Sequence, residues 1–314
     1  MKRLLTCLFL FLWVMVVGAQ NMVIEQTEKL SGVDLQFSGQ EVGLVLSGGG
    51  ALGLAHIGAI KALEEAGIEP TWVAGSSMGA IIGVMYAAGY SADEIMQIVK
   101  EERLYKVGRL LRLQSALRNS GMSTQKTLLR ELGEFVPHNS FDSLKRRFMV
   151  CVTDVERGEP VYRYEGGNLV EYVAASASIP ALFEPIVIDG VRYVDAGLTD
   201  NMPAERLRSI VGSQRSGVDN SQFKIIAVDV LPFVENYKAQ NAIDMARWTL
   251  RLFQQKNMDA NRGACDLLVK CYALEKYHEF DFKRYKEIYR YGYDAMKERL
   301  QITDNRLQIT DNRL

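Results

Sequence analysis

Histidine and cysteine are scarce: three and four residues respectively in a chain of 314. One cysteine, Cys7, falls inside an N-terminal apolar run. The other three, Cys151, Cys265 and Cys271, are too few for a disulfide framework and lack metal-site spacing. They read as structural thiols, Cys151 in the buried-strand pattern after "RFMV", and Cys265 and Cys271 too far apart along one strand to bridge. No His/Cys/Asp cluster has ligand spacing, so neither metal nor cofactor is expected. Neither charge sign is in excess, with 37 Lys and Arg against 38 Asp and Glu. A near-neutral chain offers no electrostatic reason to bind nucleic acid. Beyond the N-terminus no run approaches the ~18 apolar residues that span a bilayer. What is left is ordinary globular composition, 48% hydrophobic, enough for one large domain or two small ones.

The first nineteen residues stand apart. Lys2 and Arg3 precede an apolar run from Leu4 to Val17, and "VGA" supplies small residues before Gln20. That order is the pattern of a secretory signal cleaved after Ala19, with an uncleaved membrane anchor as the alternative. The expectation is an exported bacterial protein, periplasmic or secreted. The remaining chain divides into a core over 42–210 and a C-terminal α/β extension over 211–314, parted by the polar loop "SQRSGVDNSQ". "QITDNRL" occurs twice, at 301–307 and 308–314, and reads as a frayed tail. Arg103 to Ser120 is basic and amphipathic, either a solvated helix face or a lid resting on an anionic interface.

Short apolar runs predict strands at Val42–Leu46, "TWVAG", Phe148–Thr153, Pro160–Tyr164, Ile186–Ile188, Tyr193–Asp195 and Lys224–Val230. Between them, helical periodicity covers Ala55–Ala66, the apolar stretch from Met78, and a segment opened at Ala92 by the capping box "SADE". Further helices fit "NLVE" through Ala177, Ala242–Gln255 and Arg284–Leu300. Strands alternating with helices define an α/β sheet, at least partly parallel.

Chemistry concentrates in three stretches. "LVLSGGGALGLAHIG", residues 44–58, turns from a strand through glycines into a helix, and Gly48, Gly50 and Gly53 meet the dinucleotide spacing G-x-G-x-x-G. A nucleotide site also wants an acid at the end of the next strand. Here that strand ends in Gly75 and Ser76, so no nucleotide is expected. "GSSMG" centres a G-x-S-x-G on Ser77, between a strand and an apolar helix, as a nucleophile elbow requires, with Gly75 and Gly79 as the small neighbours. The glycine run then offers backbone N–H groups to an oxyanion. None of His56, His138 and His278 has an obvious partner as base, and each is expected to be replaceable with modest loss. Asp195, in "VRYVDAGLTDNMP", ends a strand with Gly197 making room for a close turn; it serves as base or merely caps that turn.

Taken in order, "SGGGALGLAHIG", "GSSMG", "ASASIPALFEP" and "VDAG" resemble the patatin-like phospholipase family from about Leu44 to Leu207. The resemblance implies a three-layer α/β/α fold with a mainly parallel central sheet. It implies a Ser-Asp dyad of Ser77 and Asp195, with Gly48, Gly49 and Gly50 as the oxyanion turn and Gly53, Gly75, Gly79 and Gly197 in support. The implied activity is metal-free hydrolysis of acyl esters in a lipid or lysolipid, with peripheral contact to a membrane surface. Two positions depart from the family: Leu52, where Arg or Lys is usual, and Ala196, where Gly is usual. Two other readings stay open, a non-catalytic lipid-binding or passenger domain and an α/β-hydrolase triad of Ser77, an acid and His278. The triad is opposed by the single strand ahead of the elbow strand.

Overall fold

The computed structural model describes residues 40–101, 121–180, 182–214, 222–235 and 237–311. The segment 1–19 expected to be a signal, the basic segment 103–120 and most of the polar loop lie outside the described residues. Eight strands form one sheet: β1 (Glu41–Leu46), β2 (Trp72–Gly75), β3 (Arg147–Asp154), β4 (Glu159–Arg163), β5 (Ile186–Ile188), β6 (Val191–Val194), β7 (Phe223–Asp229) and β8 (Leu267–Lys270). Their order is β5-β6-β3-β2-β1-β7-β8, with β4 paired to β3. The core β3-β2-β1-β7-β8 is parallel and β4, β5 and β6 join antiparallel.

Helices flank this sheet in a three-layer α/β/α arrangement: α1 (Ala55–Glu65), α2 (Met78–Ala88), α3 (Ala92–Lys100), α4 (Gly121–Phe135), α5 (Leu169–Ser176), α6 (Ala204–Gln214), α7 (Ala242–Arg262) and α8 (Tyr285–Asp311). α2 is buried along almost its whole length, as its all-round apolar sequence demands. Ser91 and Glu94 form the capping box of α3 as read from "SADE". α7 runs past Gln255 to Arg262, because no glycine or proline interrupts it before Gly263. The tail expected to fray is instead helical as far as Asp311, since the repeated "QITDNRL" contains no helix breaker. Cys265 and Cys271 flank β8 rather than sharing it, and all three described cysteines are free thiols.

Sheet register brings the functional turns together. Gly75, the last residue of β2, pairs with Val150 of β3, on the edge opposite β4. β6 pairs with Thr153 and Asp154 on the same edge as β2, running the other way. The carboxyl ends of β2 and β6 therefore meet head to head, and the residues that follow them, Ser77 and Asp195, converge. Leu46 pairs with Gly75, which sets the glycine turn after β1 beside them. Chain order also reverses at β1, whose neighbours are β2 and β7; such a switch point opens a crevice at the strands' carboxyl ends.

α1 and α8 cross at two glycines. A Cβ on Gly58 would collide with the Tyr289 carbonyl, and one on Gly292 with the Ala55 carbonyl. Gly58→Ala and Gly292→Ala are each expected to lower unfolding free energy in urea by about 1–3 kcal/mol through overpacking. Gly263→Ala, with open space around the added methyl, is the control that should leave stability unchanged.

Candidate active site

Ser77 occupies the turn from β2 into α2 with φ 52° and ψ −123°, a conformation L-residues rarely adopt. Glycines on either side make it accessible. A Cβ on Gly75 would lie 2.5 Å from the Gly79 carbonyl oxygen, and one on Gly79 would lie 2.6 Å from that of Ser47. The Ser77 N–H donates to Ser176 Oγ at 2.9 Å, and the Ser76 hydroxyl donates to the Asp200 carbonyl at 2.9 Å. The strained turn is thus tied down from two sides.

Asp195 follows β6 and is held through four atoms. Its N–H donates to Ser178 O at 3.0 Å and its carbonyl accepts from the Thr153 hydroxyl at 2.9 Å. One carboxylate oxygen accepts the Gly197 N–H at 2.8 Å; the other accepts the Ser77 hydroxyl at 2.7 Å. Both residues are buried. Burial pushes the Asp195 carboxyl up from 3.8 to about 6, while the bonds from Ser77 and Gly197 pull the other way. The group is ionised at neutral pH yet a stronger proton acceptor than a solvated aspartate.

The glycine turn packs against the serine, since a Cβ on Gly48 would lie 3.1 Å from Ser77 Cβ. The Gly48 amide, however, is already engaged. Its N–H donates to Asn201 O at 3.1 Å, and its own carbonyl accepts Asn201 Nδ2 at 3.3 Å. A buried amide must find a partner, and this one has found it. The amides of Gly49, which is buried, and of Gly50, which is half-buried, have no acceptor among the described residues. Gly50 has φ +54° and backs onto Glu279, whose carbonyl takes the Ala51 N–H at 2.8 Å. Gly53 lets the turn press on Met78, the first residue of α2, because a Cβ there would meet Met78 Cγ at 2.5 Å. Gly197 sits under α7: its carbonyl accepts Asn257 Nδ2 at 3.0 Å, and a Cβ on it would strike Gln254.

The histidines divide. His138 and His278 are exposed and make none of the hydrogen bonds around Ser77 and Asp195. His56 is fully buried, so it is not freely replaceable as its helix-face position suggests. Its Nε2 lies 2.7 Å from Ser47 O, on the residue preceding the glycines, and burial holds its pKa down at about 4. It is a neutral donor that pins the turn. Leu52 and Ala196, the two departures, are both fully buried. An apolar side chain at 52 feeds the core, leaving it no exposed atom through which to choose a head group. Asp200 is a second buried carboxyl pushed up to about 6 by burial, but it accepts from Tyr162, Asn261 and Met202 instead of touching Ser77.

The site therefore joins a strained serine, an aspartate in direct contact with it and two glycine amides that have no partner among the described residues. Residues 44–208, more than half of the chain, match the patatin-like phospholipase family. The chain belongs to that family. Among curated relatives it is 31% identical over 285 residues to Lysophospholipase NTE1 of Kluyveromyces lactis, covering 84% of this chain and 19% of that protein. It is 28% identical over 295 residues to Lysophospholipase nte1 of Emericella nidulans, covering 84% and 18%. The chain thus spans under a fifth of the length of these fungal relatives. Similar solved structures include VipD from Legionella pneumophila, at TM-score 0.48 and 15% identity over 85% of this chain and 67% of that one. The type III effector ExoU matches at TM-score 0.42 and 13% identity over 84% and 53%.

Because Asp195 must be ionised to accept a proton, kcat/KM should fall on the acid side with a midpoint near pH 6. Asp195→Asn should lower the rate by about 10²-fold or more. The folded pKa exceeds the unfolded one, so this carboxyl favours folding at low pH and loses that contribution as pH rises through about 6. Asp195→Asn should therefore be at least as heat-stable as the native protein above pH 6. An active or markedly destabilised variant would contradict both assignments.

Proposed function

We propose that the chain is a lipid acyl hydrolase of the phospholipase A or lysophospholipase type, carried by one observation: the 2.7 Å hydrogen bond from Ser77 Oγ to Asp195. Asp195 takes the hydroxyl proton as Oγ attacks the ester carbonyl. The charge that develops on the carbonyl oxygen is met by the amides of Gly49 and Gly50, each such donor being worth ~3 kcal/mol. Collapse of the tetrahedral species breaks the ester C–O bond, and Asp195 returns the proton to the departing alcohol. Water, deprotonated by the same carboxylate, then attacks the acyl carbonyl; the bond to Ser77 Oγ breaks, Asp195 returns the proton to Oγ and the fatty acid departs. The lysophospholipase names of the fungal relatives support a lysolipid or phospholipid as substrate. The α/β-hydrolase triad finds no support, because His278 stands apart from the dyad's hydrogen bonds.

Ser77→Ala should abolish hydrolysis of a chromogenic acyl ester and of lysophosphatidylcholine while leaving the thermal unfolding transition in place. The same hydrolysis should persist in excess chelator, since the proton moves between Ser77 and Asp195. Residual activity near the native level in Ser77→Ala would remove this serine from the mechanism and leave a lipid-binding domain as the better reading.

A further inference from the structure

We propose that the outer stripe of α7, with the loop leading into it, docks on a phospholipid surface and so delivers substrate to the dyad. The proposal rests on the lipid hydrolase reading above. α7 has two faces. On one, Arg251, Gln255, Met258 and Asn261 are buried, and the helix reaches Gly197 and Asn201 through Asn257. On the other, Met245, Leu252 and Phe253 are 52, 41 and 61% exposed. Their i, i+7, i+8 spacing keeps them on one side of the helix. Roofing the dyad requires the first face only. Large apolar side chains held in water along the second mark a surface made for a partner.

The neighbourhood extends the same character. Phe233, in the loop after β7, is 55% exposed and lies 6.1 Å from Trp248, which stacks on Tyr237 at 4.3 Å. Rings with one polar end suit the depth of lipid headgroups. Tyr272, just past β8, is 66% exposed, and Leu198, one residue beyond Gly197, is 39% exposed. Phe233 and Tyr272 follow the carboxyl ends of β7 and β8, the same end of the parallel strands at which Ser77 follows β2.

Charge selects the occupant. Phe233, Leu252, Lys256, Lys270 and Tyr272 help line an open groove of about 390 Å³ beside α7. Its acidic groups Asp229 and Asp259 are both paired with Arg262. Lys256 and Lys270 make no ion pair within 4 Å among the described residues, and with Arg262 they exceed the groove's two carboxylates by one positive charge. Lysines set among exposed rings, one of them over Tyr272, match the phosphates of a lipid surface, and a second copy of this chain would bring like net charge to like.

The test compares three forms of the chain in co-sedimentation with vesicles of phosphatidylcholine alone or mixed with phosphatidylglycerol. Met245→Ser/Leu252→Ser/Phe253→Ser should lose about tenfold or more of vesicle binding while hydrolysing a soluble short-chain ester at the native rate. Lys256→Glu/Lys270→Glu should lose only the extra binding that phosphatidylglycerol confers. Native binding by the triple variant overturns the proposal. So does a native dimer that the triple substitution turns into monomer with vesicle binding unchanged, which assigns the face to a second copy. If vesicle binding follows this face but no form cleaves ester or phospholipid, the docking surface stands and the hydrolase reading falls.

Discussion

The hydrogen bond between Ser77 and Asp195 joins two turns 118 residues apart, and the sheet is arranged so that it can form. β2 and β6 share one edge of β3 from opposite directions, which brings their carboxyl ends together. The partners then carry their own costs. Ser77 takes a backbone conformation worth about 1–3 kcal/mol of strain. Asp195 is ionised where burial disfavours charge, on the order of 3 kcal/mol for a pKa lifted from 3.8 to about 6. Contacts from Ser176, Ser178, Thr153 and Gly197 hold both in place against those costs.

The glycine turn is held both from within the motif and from parts of the chain far outside it. Asn201 clamps Gly48 at both its N–H and its carbonyl, His56 pins Ser47, and the Glu279 carbonyl takes the amide of Ala51. With those groups engaged, Gly49 and Gly50 are left with amides to offer. Glu279 and α7 lie beyond residue 208, where the family match ends, so the C-terminal third completes a site whose dyad lies wholly within the matched segment.

Local turn chemistry points to Ser77 as a nucleophile, while for Asp195 it leaves base and turn cap both open until the family resemblance pairs the two. The glycines around Ser77 announce a sharp strand-to-helix turn, and Asp195 stands at a strand end before small residues. Long-range partners left no such trace. Nothing near Gly48 reveals that its amide is claimed by Asn201, 153 residues on, and "TDNMP" reads as an ordinary turn. His56 misleads for a related reason: periodicity says which face of α1 is apolar but not that a carbonyl of the preceding turn lies within reach of an imidazole. The four residues of "LLVK" are too few to show where a strand near Cys265 and Cys271 begins and ends, and α7 outruns its apolar pattern because no glycine or proline stops it before Gly263.

The central claim is that Ser77 attacks and that Gly49 and Gly50, rather than Gly48, hold the oxyanion. The most direct measurement is a crystal structure after reaction with a fluorophosphonate. The account predicts a single phosphonyl adduct on Ser77 Oγ, its phosphoryl oxygen about 2.7–3.1 Å from the Gly49 and Gly50 amides, with the Gly48 amide still bonded to Asn201. An adduct on another residue would contradict it, as would a phosphoryl oxygen turned away from those two amides.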